Sequence, residues 1–101
     1  MSQENSTQHG VGWPWQQPEG SQRVKAAGII RDARHQPREA LEANLVKRYV
    51  TAMETGSKFP PVTLARIKGK EGLHLLCGWH RYEAAAFKLG MKHVQATVIN
   101  V

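Results

Sequence analysis

The segment 73–89 switches from a strand pattern to a helix pattern at a single glycine, Gly78. The apolar run before Gly78 has the length of a buried strand, and the residues at 79–89 predict a helix that Gly90 ends. Three successive alanines at 84–86 allow this helix to pack closely on a sheet. An apolar strand followed at once by a helix is typical of a layered α/β domain.

The first half of the chain predicts one strand and one helix. Residues 24–30 alternate loosely between apolar and polar side chains, which predicts a strand. From about residue 39, apolar side chains such as Tyr49 and Met53 recur near every fourth position. This spacing predicts an amphipathic helix, and Gly56 is a suitable C-terminal stop.

Prolines and glycines divide the second half of the chain into further strands. Phe59-Pro60-Pro61 fixes an extended entry into a strand at 62–68. A glycine-bracketed turn separates that strand from the next one at 73–77, and residues 93–99 form a final strand. The predicted order is β-α-β-β-α-β. It corresponds to a two-layer α/β (α+β) domain with a mixed four-stranded sheet and two main helices.

Residues 1–22 have the composition of a flexible tail, so the domain is predicted to span residues 23–101. Trp13 and Trp15 are the exception in this segment, because two indoles are costly to leave in water. They are expected to fold back over an apolar patch of the domain or to stay disordered with the tail. The alternative is that they dock on a protein partner.

The charge is concentrated in the predicted domain. All fourteen Lys and Arg residues and six of the eight acids lie at or after Arg23, which gives this part a formal charge of +8. Such a body attracts phosphate in a nucleotide, a nucleic acid or an anionic surface. Arg66, Lys68 and Lys70 follow the second predicted strand into its turn. They form either a solvated edge protected by charge or a basic ridge for DNA.

Several functional classes are disfavoured by composition. No apolar run approaches the roughly 20 residues of a membrane span, and the first residues lack the pattern of a secretory signal. These features predict a soluble, cytoplasmic protein without membrane partners. Cys77 is the sole cysteine, so no intrachain disulfide forms, and we expect it to be a small buried core residue. The histidines show no zinc-hydrolase spacing, and no metal site is predicted.

The turn after the third predicted strand has the features of an anion site. The first amides of a helix have no intrahelical partner, and they lie at the positive end of the helix dipole. Gly78 allows a ligand to approach this backbone closely, while His80 and Arg81 supply side-chain donors beside it. The combination predicts phosphate binding at the helix start.

The same residues resemble a known signature. Gly78-x-His80-Arg81-x-x-Ala84, placed between a strand and a helix, is similar to the signature of the ParB/sulfiredoxin superfamily. Gln36-Pro37-Arg38 resembles an element of the ParB partition proteins, and Phe59-Pro60-Pro61-Val62 resembles their strand entry. The resemblance covers about residues 24–100. It implies a nucleotide or phosphate site made of Gly78, Trp79, His80 and Arg81 with Gln36 and Arg38, and a nucleoside triphosphate (CTP or ATP) with Mg²⁺ as its ligand.

The departures from this family are specific. Trp79 stands where sulfiredoxins carry their attacking cysteine, so sulfinic acid reductase activity is not expected. In CTP-binding partition proteins the box is usually Gly-Glu-Arg-Arg, and here Trp79 replaces the acid and His80 the first arginine. Partition proteins also carry DNA-binding and dimerisation domains. This chain is therefore expected to be a stand-alone member of the superfamily or an excised fragment.

Three functions follow from these observations. The first is a ParB-like nucleotide-binding module that acts with DNA in partition or regulation. The second is a ParB-like nuclease or a nucleotide-dependent phosphotransferase or NTPase, for which Glu83 and Asp32 are the candidate catalytic acids. The third is a protein-interaction module with a decayed nucleotide site, which would engage a partner through Trp13 and Trp15. The oligomeric state is left open by the sequence.

Overall fold

The computed structural model describes residues 12–32 and 42–101. Within these ranges five strands and two main helical segments follow one another along the chain. The elements are β1 Ser21–Lys25, a 3₁₀ turn Ala26–Gly28, β2 Ile29–Ile30, α1 Ala43–Glu54, β3 Val62–Arg66, β4 Leu73–Cys77, α2 Trp79–Tyr82 with its π-helical continuation Glu83–Lys88, and β5 His93–Asn100. No helix in the described part of the chain has the length and hydropathy that a membrane crossing requires.

The sheet is mixed and its spatial order is β1-β5-β3-β4-β2. β1 runs antiparallel to β5, β5 is parallel to β3, β3 is antiparallel to β4, and β4 is parallel to β2. The α/β class and the mixed sheet are confirmed, but the prediction of four strands is wrong. The predicted strand at 24–30 is interrupted by the 3₁₀ turn, and its two halves lie at opposite edges of the sheet.

The connection between the two edge strands forces the sheet to curl. Lys25 ends β1 and Ile29 begins β2. Four Cα–Cα steps span at most about 15 Å. In a flat five-stranded sheet the two edges would lie about 19 Å apart, because neighbouring strands are about 4.8 Å from each other. The short connection therefore fits only a strongly curved sheet.

The core lies between the sheet and the two helices. Val94 and Ala96 of β5 are fully buried, and they face the helices as the alternation of this strand predicts. Ala84 and Ala85 are also fully buried, so the helix backbone lies close to the sheet. From α1, Met53 enters the same cluster at 1% exposure. The amphipathic pattern of α1 thus correctly indicated its buried face, and the alanines at 84–86 correctly indicated close packing of the second helix.

The tryptophan segment belongs to the packed structure. Residues 13–16, here called the N-terminal strap, form a parallel bridge in which Trp15 pairs with Phe59. The Phe59 N–H donates to the Pro14 carbonyl at 2.8 Å. Trp15 is 2% exposed and lies in the core, whereas Trp13 is half-buried beneath the Arg23 guanidinium at 3.9 Å. In this part of the predicted tail the indoles fold back on the domain, and Trp15 is not on the surface.

Two local expectations are wrong. Cys77 was expected in the core, but it is exposed, because β4 carries its side chain outward at the last position before Gly78. Arg66 was assigned to a possible sheet edge, but β3 is the central strand of the five. Leu64 and Ala65, which point to opposite faces of β3, are both fully buried, and the charged residues begin where the strand ends.

Candidate functional site

The turn between β4 and α2 depends on the left-handed backbone of Gly78. This residue has φ 92° and ψ 28°, a conformation that residues with side chains rarely adopt. A Cβ on Gly78 would lie 2.8 Å from Nη2 of Arg81 and 2.9 Å from Cγ1 of Val62. The Gly78 carbonyl accepts the Tyr82 N–H at 2.9 Å, which closes the first turn of the helix. Glycine at this position therefore permits both the reversal and the close approach of Arg81.

Arg81 lies directly beside this turn. Its Nη2 donates to the Pro61 carbonyl at 3.2 Å, which fixes the side chain between the helix start and the entry to β3. The Nε atom is buried and has no hydrogen-bond partner among the described residues. Arg81 also makes no ion pair with an acid at 12–32 or 42–101. The guanidinium therefore retains positive charge and donor capacity next to the start of a helix.

His80 connects the turn to the beginning of α1. Its Nε2 accepts the Glu42 N–H at 3.2 Å. The imidazole also meets Tyr49 of α1 edge-to-face, with ring centroids 6.4 Å apart. An accepting Nε2 in a neutral imidazole places the proton on Nδ1. The arrangement brings the starts of both helices to the same corner of the domain.

Trp79 occupies a different position from its neighbours in the motif. Its side chain is 5% exposed and belongs to the core cluster. The Nε1 atom is buried without a hydrogen-bond partner in the described ranges. The indole thus anchors the first helical residue to the core. At the outer side of the turn, Trp79 therefore offers a ligand only its backbone N–H.

The second part of the predicted site is not described by the structure. Gln36 and Arg38 lie outside the described residues. Glu42, the first residue after that gap, contacts His80 through its backbone. The chain therefore re-enters the described structure beside the turn that contains Gly78.

One of the two candidate catalytic acids is held in a salt bridge within the described residues. Glu83 forms an ion pair with Arg31, with Oε1 and Nη1 3.0 Å apart. Asp32 is half-buried beside Arg31 in the chain. Within the described residues no cluster of three His, Cys, Asp or Glu side chains could hold a metal ion.

The basic residues at the end of β3 and just after it are exposed. Arg66, Lys68 and Lys70 all have solvent-accessible side chains. The Lys68 N–H donates to the Val101 carbonyl at 3.2 Å, which ties this stretch to the last residue. These cations belong to the end of the sheet formed by the C-terminal ends of β3 and β5, which are parallel.

Tyr82 connects α2 to the 3₁₀ turn. Its hydroxyl donates to the Ala26 carbonyl at 2.9 Å. Burial raises the pKa of the Tyr82 phenol above its usual 10.0, the Arg31 guanidinium partly opposes this effect, and Glu83 adds to it. Tyr82 is therefore a neutral donor at physiological pH, and it fixes the turn that separates β1 from β2.

Sequence patterns missed one group of residues on the other flank of the helix. Arg31 contacts Glu83 through an ion pair and stacks over Phe87 at 4.3 Å from the ring centroid. Phe87 is 52% exposed, although it is a large aromatic side chain. It falls beside the buried stripe that contains Tyr82 and Leu89. An aromatic residue away from the apolar stripe of an amphipathic helix was the signal that could have identified this surface.

The solved structures that are similar to this chain include three different proteins. Sulfiredoxin from Arabidopsis thaliana has a TM-score of 0.61 and 21% identity, over 80% of this chain and 85% of that one. Truncated ParB from Caulobacter crescentus, complexed with CTP-gamma-S, has a TM-score of 0.64 and 20% identity, over 81% and 45%. A free serine kinase variant in complex with ADP has a TM-score of 0.62 and 17% identity, over 86% and 34%.

The chain spans less than half of the ParB chain and about a third of the kinase chain. No protein-family model and no curated protein matches the sequence. Three-dimensional similarity at these identities defines the architecture. The chain has a ParB/sulfiredoxin-like fold.

Proposed function

We propose that this protein is a nucleotide-binding module that holds the phosphates of a nucleoside triphosphate at residues 78–81. The backbone N–H groups at the start of α2 would bind phosphate oxygens, and Arg81 would add a charge-assisted contact. His80 would contribute by holding the start of α1 beside the ligand. The sequence adds Gln36 and Arg38 as further candidate ligands, and Mg²⁺ would accompany the triphosphate as its counter-ion.

The geometry of Arg81 carries this proposal. A guanidinium that is half-buried beside a left-handed glycine, with a buried and unpartnered Nε, has lost hydration without gaining an acid in the described structure. Such a group is stabilised by an anion that supplies the missing acceptors. A phosphate approaching Gly78 would meet the guanidinium and the helix amides together.

The ligands of proteins with the same fold support a nucleotide rather than free phosphate. ParB from Caulobacter crescentus is complexed with CTP-gamma-S in one structure, and the free serine kinase is complexed with ADP or AMP in others. Because these proteins differ in base and phosphate number, the common element is the nucleotide itself. Trp79 stands where CTP-binding partition proteins usually carry an acid. Measured affinities therefore decide between CTP and ATP.

Isothermal titration calorimetry tests this proposal. CTP, ATP, ADP and GTP are titrated, with and without Mg²⁺, into the wild type, Arg81→Ala and Arg66→Ala. We expect Arg81→Ala to weaken binding by roughly 10- to 100-fold, the value of one hydrogen bond to a charged group. Arg66→Ala removes the same charge at an exposed site and should change affinity less than threefold. Absence of heat from all four nucleotides with folded protein, or equal losses in both variants, would overturn the proposal.

We further propose that the module acts together with DNA. A ParB neighbour is complexed to the centromeric parS site, and the body of this chain carries a formal charge of +8 after residue 22. Arg66, Lys68 and Lys70 are the candidate contacts with the DNA backbone. Duplex binding is measured by anisotropy at several salt concentrations. In the variant Arg66→Ala/Lys68→Ala/Lys70→Ala, the slope of log K against log salt concentration should become less steep by about 0.9 for each phosphate contact that is lost. An unchanged slope would exclude these three residues as DNA contacts.

A binding module is preferred to a nuclease or phosphotransferase because of Glu83. The ion pair with Arg31 occupies this carboxylate. Incubation of the protein with Mg²⁺, plasmid DNA and nucleotide tests the preference. Turnover that Glu83→Gln abolishes would contradict it.

A further inference from the structure

A groove of about 730 Å³ lies between the 3₁₀ turn and the C-terminal half of the second helix. Its floor is apolar and includes Ala27, Tyr82, Phe87 and Met91. Lys25, Arg31 and Lys92 also line it. The groove does not include Gly78, His80 or Arg81, so it is separate from the proposed nucleotide site.

The floor contains an aromatic side chain that is exposed but held in place. Phe87 is 52% exposed, and it meets the buried Tyr82 ring edge-to-face with centroids 5.8 Å apart. The guanidinium of Arg31 covers one face of Phe87 at 4.3 Å. Contacts on two sides restrict the Phe87 ring. A large apolar surface that is already ordered loses little entropy when a ligand covers it.

Positively charged side chains lie at two places around the apolar floor. Lys25 and Lys92 lie at one end, because the N–H of Ala26 donates to the Lys92 carbonyl at 2.8 Å. Neither lysine forms an ion pair with an acid in the described parts of the chain. Arg31, which stacks on Phe87, supplies the other cation, and Glu83 is its partner. None of the described residues that line the groove is acidic.

We propose that this groove binds a short acidic segment of a partner protein, with one apolar side chain between two carboxylates. The apolar side chain would cover Phe87 and Met91. One carboxylate would pair with Lys25 and Lys92, and the other with Arg31, which would share its guanidinium with Glu83. An apolar centre with charges at its rim is the usual composition of a protein interface.

Other occupants fit the groove less well. Residues 1–11 contain one acid, Glu4, so this segment cannot supply carboxylates to both ends. A second copy of the chain would bring a net charge of +6 towards a cationic groove. Single-stranded nucleic acid requires open ring faces for stacking. Arg31 covers one face of Phe87, and the cations flank an apolar floor instead of forming a continuous track.

The proposal is tested by selecting, from a random heptapeptide display library, the peptides that bind the wild-type protein. We expect the selected peptides to share an apolar residue flanked by Asp or Glu. The most enriched peptide is then synthesised with a fluorescent label, and its affinity is measured by anisotropy. Phe87→Ala and the double variant Lys25→Glu/Lys92→Glu should each weaken binding at least tenfold. Phe87 is exposed, so its replacement leaves the core intact.

Matched variants separate this site from general charge effects. Arg66→Glu/Lys70→Glu changes the net charge by the same amount on exposed residues outside the groove, and it should alter peptide affinity less than twofold. Arg81→Ala should leave peptide binding unchanged, so the groove and the nucleotide site can fail independently. Selection of peptides without acids, equal losses in both double variants, or displacement of the peptide by a single-stranded oligonucleotide would each overturn the proposal. A self-association that Phe87→Ala abolishes would assign the groove to a second copy and would also overturn it.

Discussion

His80 and Glu42 join the starts of the two helices through one hydrogen bond, in which Nε2 of His80 accepts the Glu42 N–H at 3.2 Å. The bond connects residues 38 positions apart in sequence. It satisfies a backbone donor at the N-cap of α1, where no side chain caps the helix. His80 therefore has a structural role that does not depend on any ligand.

Replacement of His80 by alanine should destabilise the start of α1. Loss of the acceptor should cost about 1 kcal/mol. In hydrogen exchange measured by NMR, the Glu42 amide should exchange roughly fivefold faster, which corresponds to the same energy. His80→Gln keeps an acceptor oxygen and serves as the control. Unchanged exchange of the Glu42 amide in His80→Ala would show that the bond is not formed in solution.

Gly78→Ala should be more destabilising than alanine at another glycine with positive φ. The left-handed backbone alone costs about 1–3 kcal/mol for a residue with a side chain. At Gly78 the new Cβ would also collide with Val62 at 2.9 Å. Gly56 has φ 102° and no atom within 4 Å of a built Cβ, so Gly56→Ala isolates the backbone cost. Urea unfolding compares the two variants, and equal losses would refute the steric contribution.

Trp15→Ala should remove a large part of the core. Truncation of a buried aromatic residue costs about 3–5 kcal/mol. Trp15 is 2% exposed, whereas Phe87, the control, is 52% exposed. Phe87→Ala should change the free energy of unfolding by about 0.5 kcal/mol or less, as surface substitutions usually do. If the two variants unfold at the same urea concentration, the strap does not belong to the stable core.

The raised pKa of Tyr82 predicts a loss of stability at alkaline pH. The phenol is neutral in both states well below pH 10.0, and above that value the unfolded chain ionises first. The contribution of Tyr82 to folding is therefore complete below pH 10.0 and declines as the pH rises through the higher folded pKa.

Tyr82→Phe provides the comparison for this prediction. It lacks the ionisable group, and at neutral pH it should be about 1–3 kcal/mol less stable, because the Ala26 carbonyl loses its donor. The difference from wild type should stay constant up to about pH 10.0 and shrink as the pH rises further towards the folded pKa, which urea unfolding at several pH values measures. Parallel pH profiles for the two proteins would contradict the assignment.

The elements that the sequence predicted well are those whose ends or patterns are marked by nearby residues. β4 was predicted at 73–77 and is found at Leu73–Cys77, because Gly72 and Gly78 mark both of its ends. β5 was predicted at 93–99 and extends one residue further, to Asn100. In both strands the signal lies within the element itself, so no distant contact was needed to recognise it.

The failures arise from contacts between residues far apart in the chain. The 3₁₀ turn in the predicted strand at 24–30 contains Ala26-Ala27-Gly28 and no strong turn residue apart from the glycine. Its position is fixed by Tyr82, which is 56 residues away and donates to the Ala26 carbonyl. The pairing of the strap is also long-range, since Trp15 bridges to Phe59 at the entry to β3.

The position of the glycine motif at a helix start was predictable, but its local geometry was not. The spacing of Gly78, His80 and Arg81 placed all three at one helix start, and the structure has them there. It did not indicate that Arg81 would bond to Pro61, or that the Trp79 indole would turn into the core. Both outcomes depend on the packing of β3 against the helix.

The three-residue link between Lys25 and Ile29 limits how this domain can respond to a ligand. This link joins the two edge strands of the sheet, β1 and β2. The sheet therefore cannot flatten unless β1 detaches from β5 or β2 detaches from β4. Conformational adjustment is therefore confined to the helices and the loops around them. Insertion of several glycines after Ala27 would release this restraint and allow the curvature to relax.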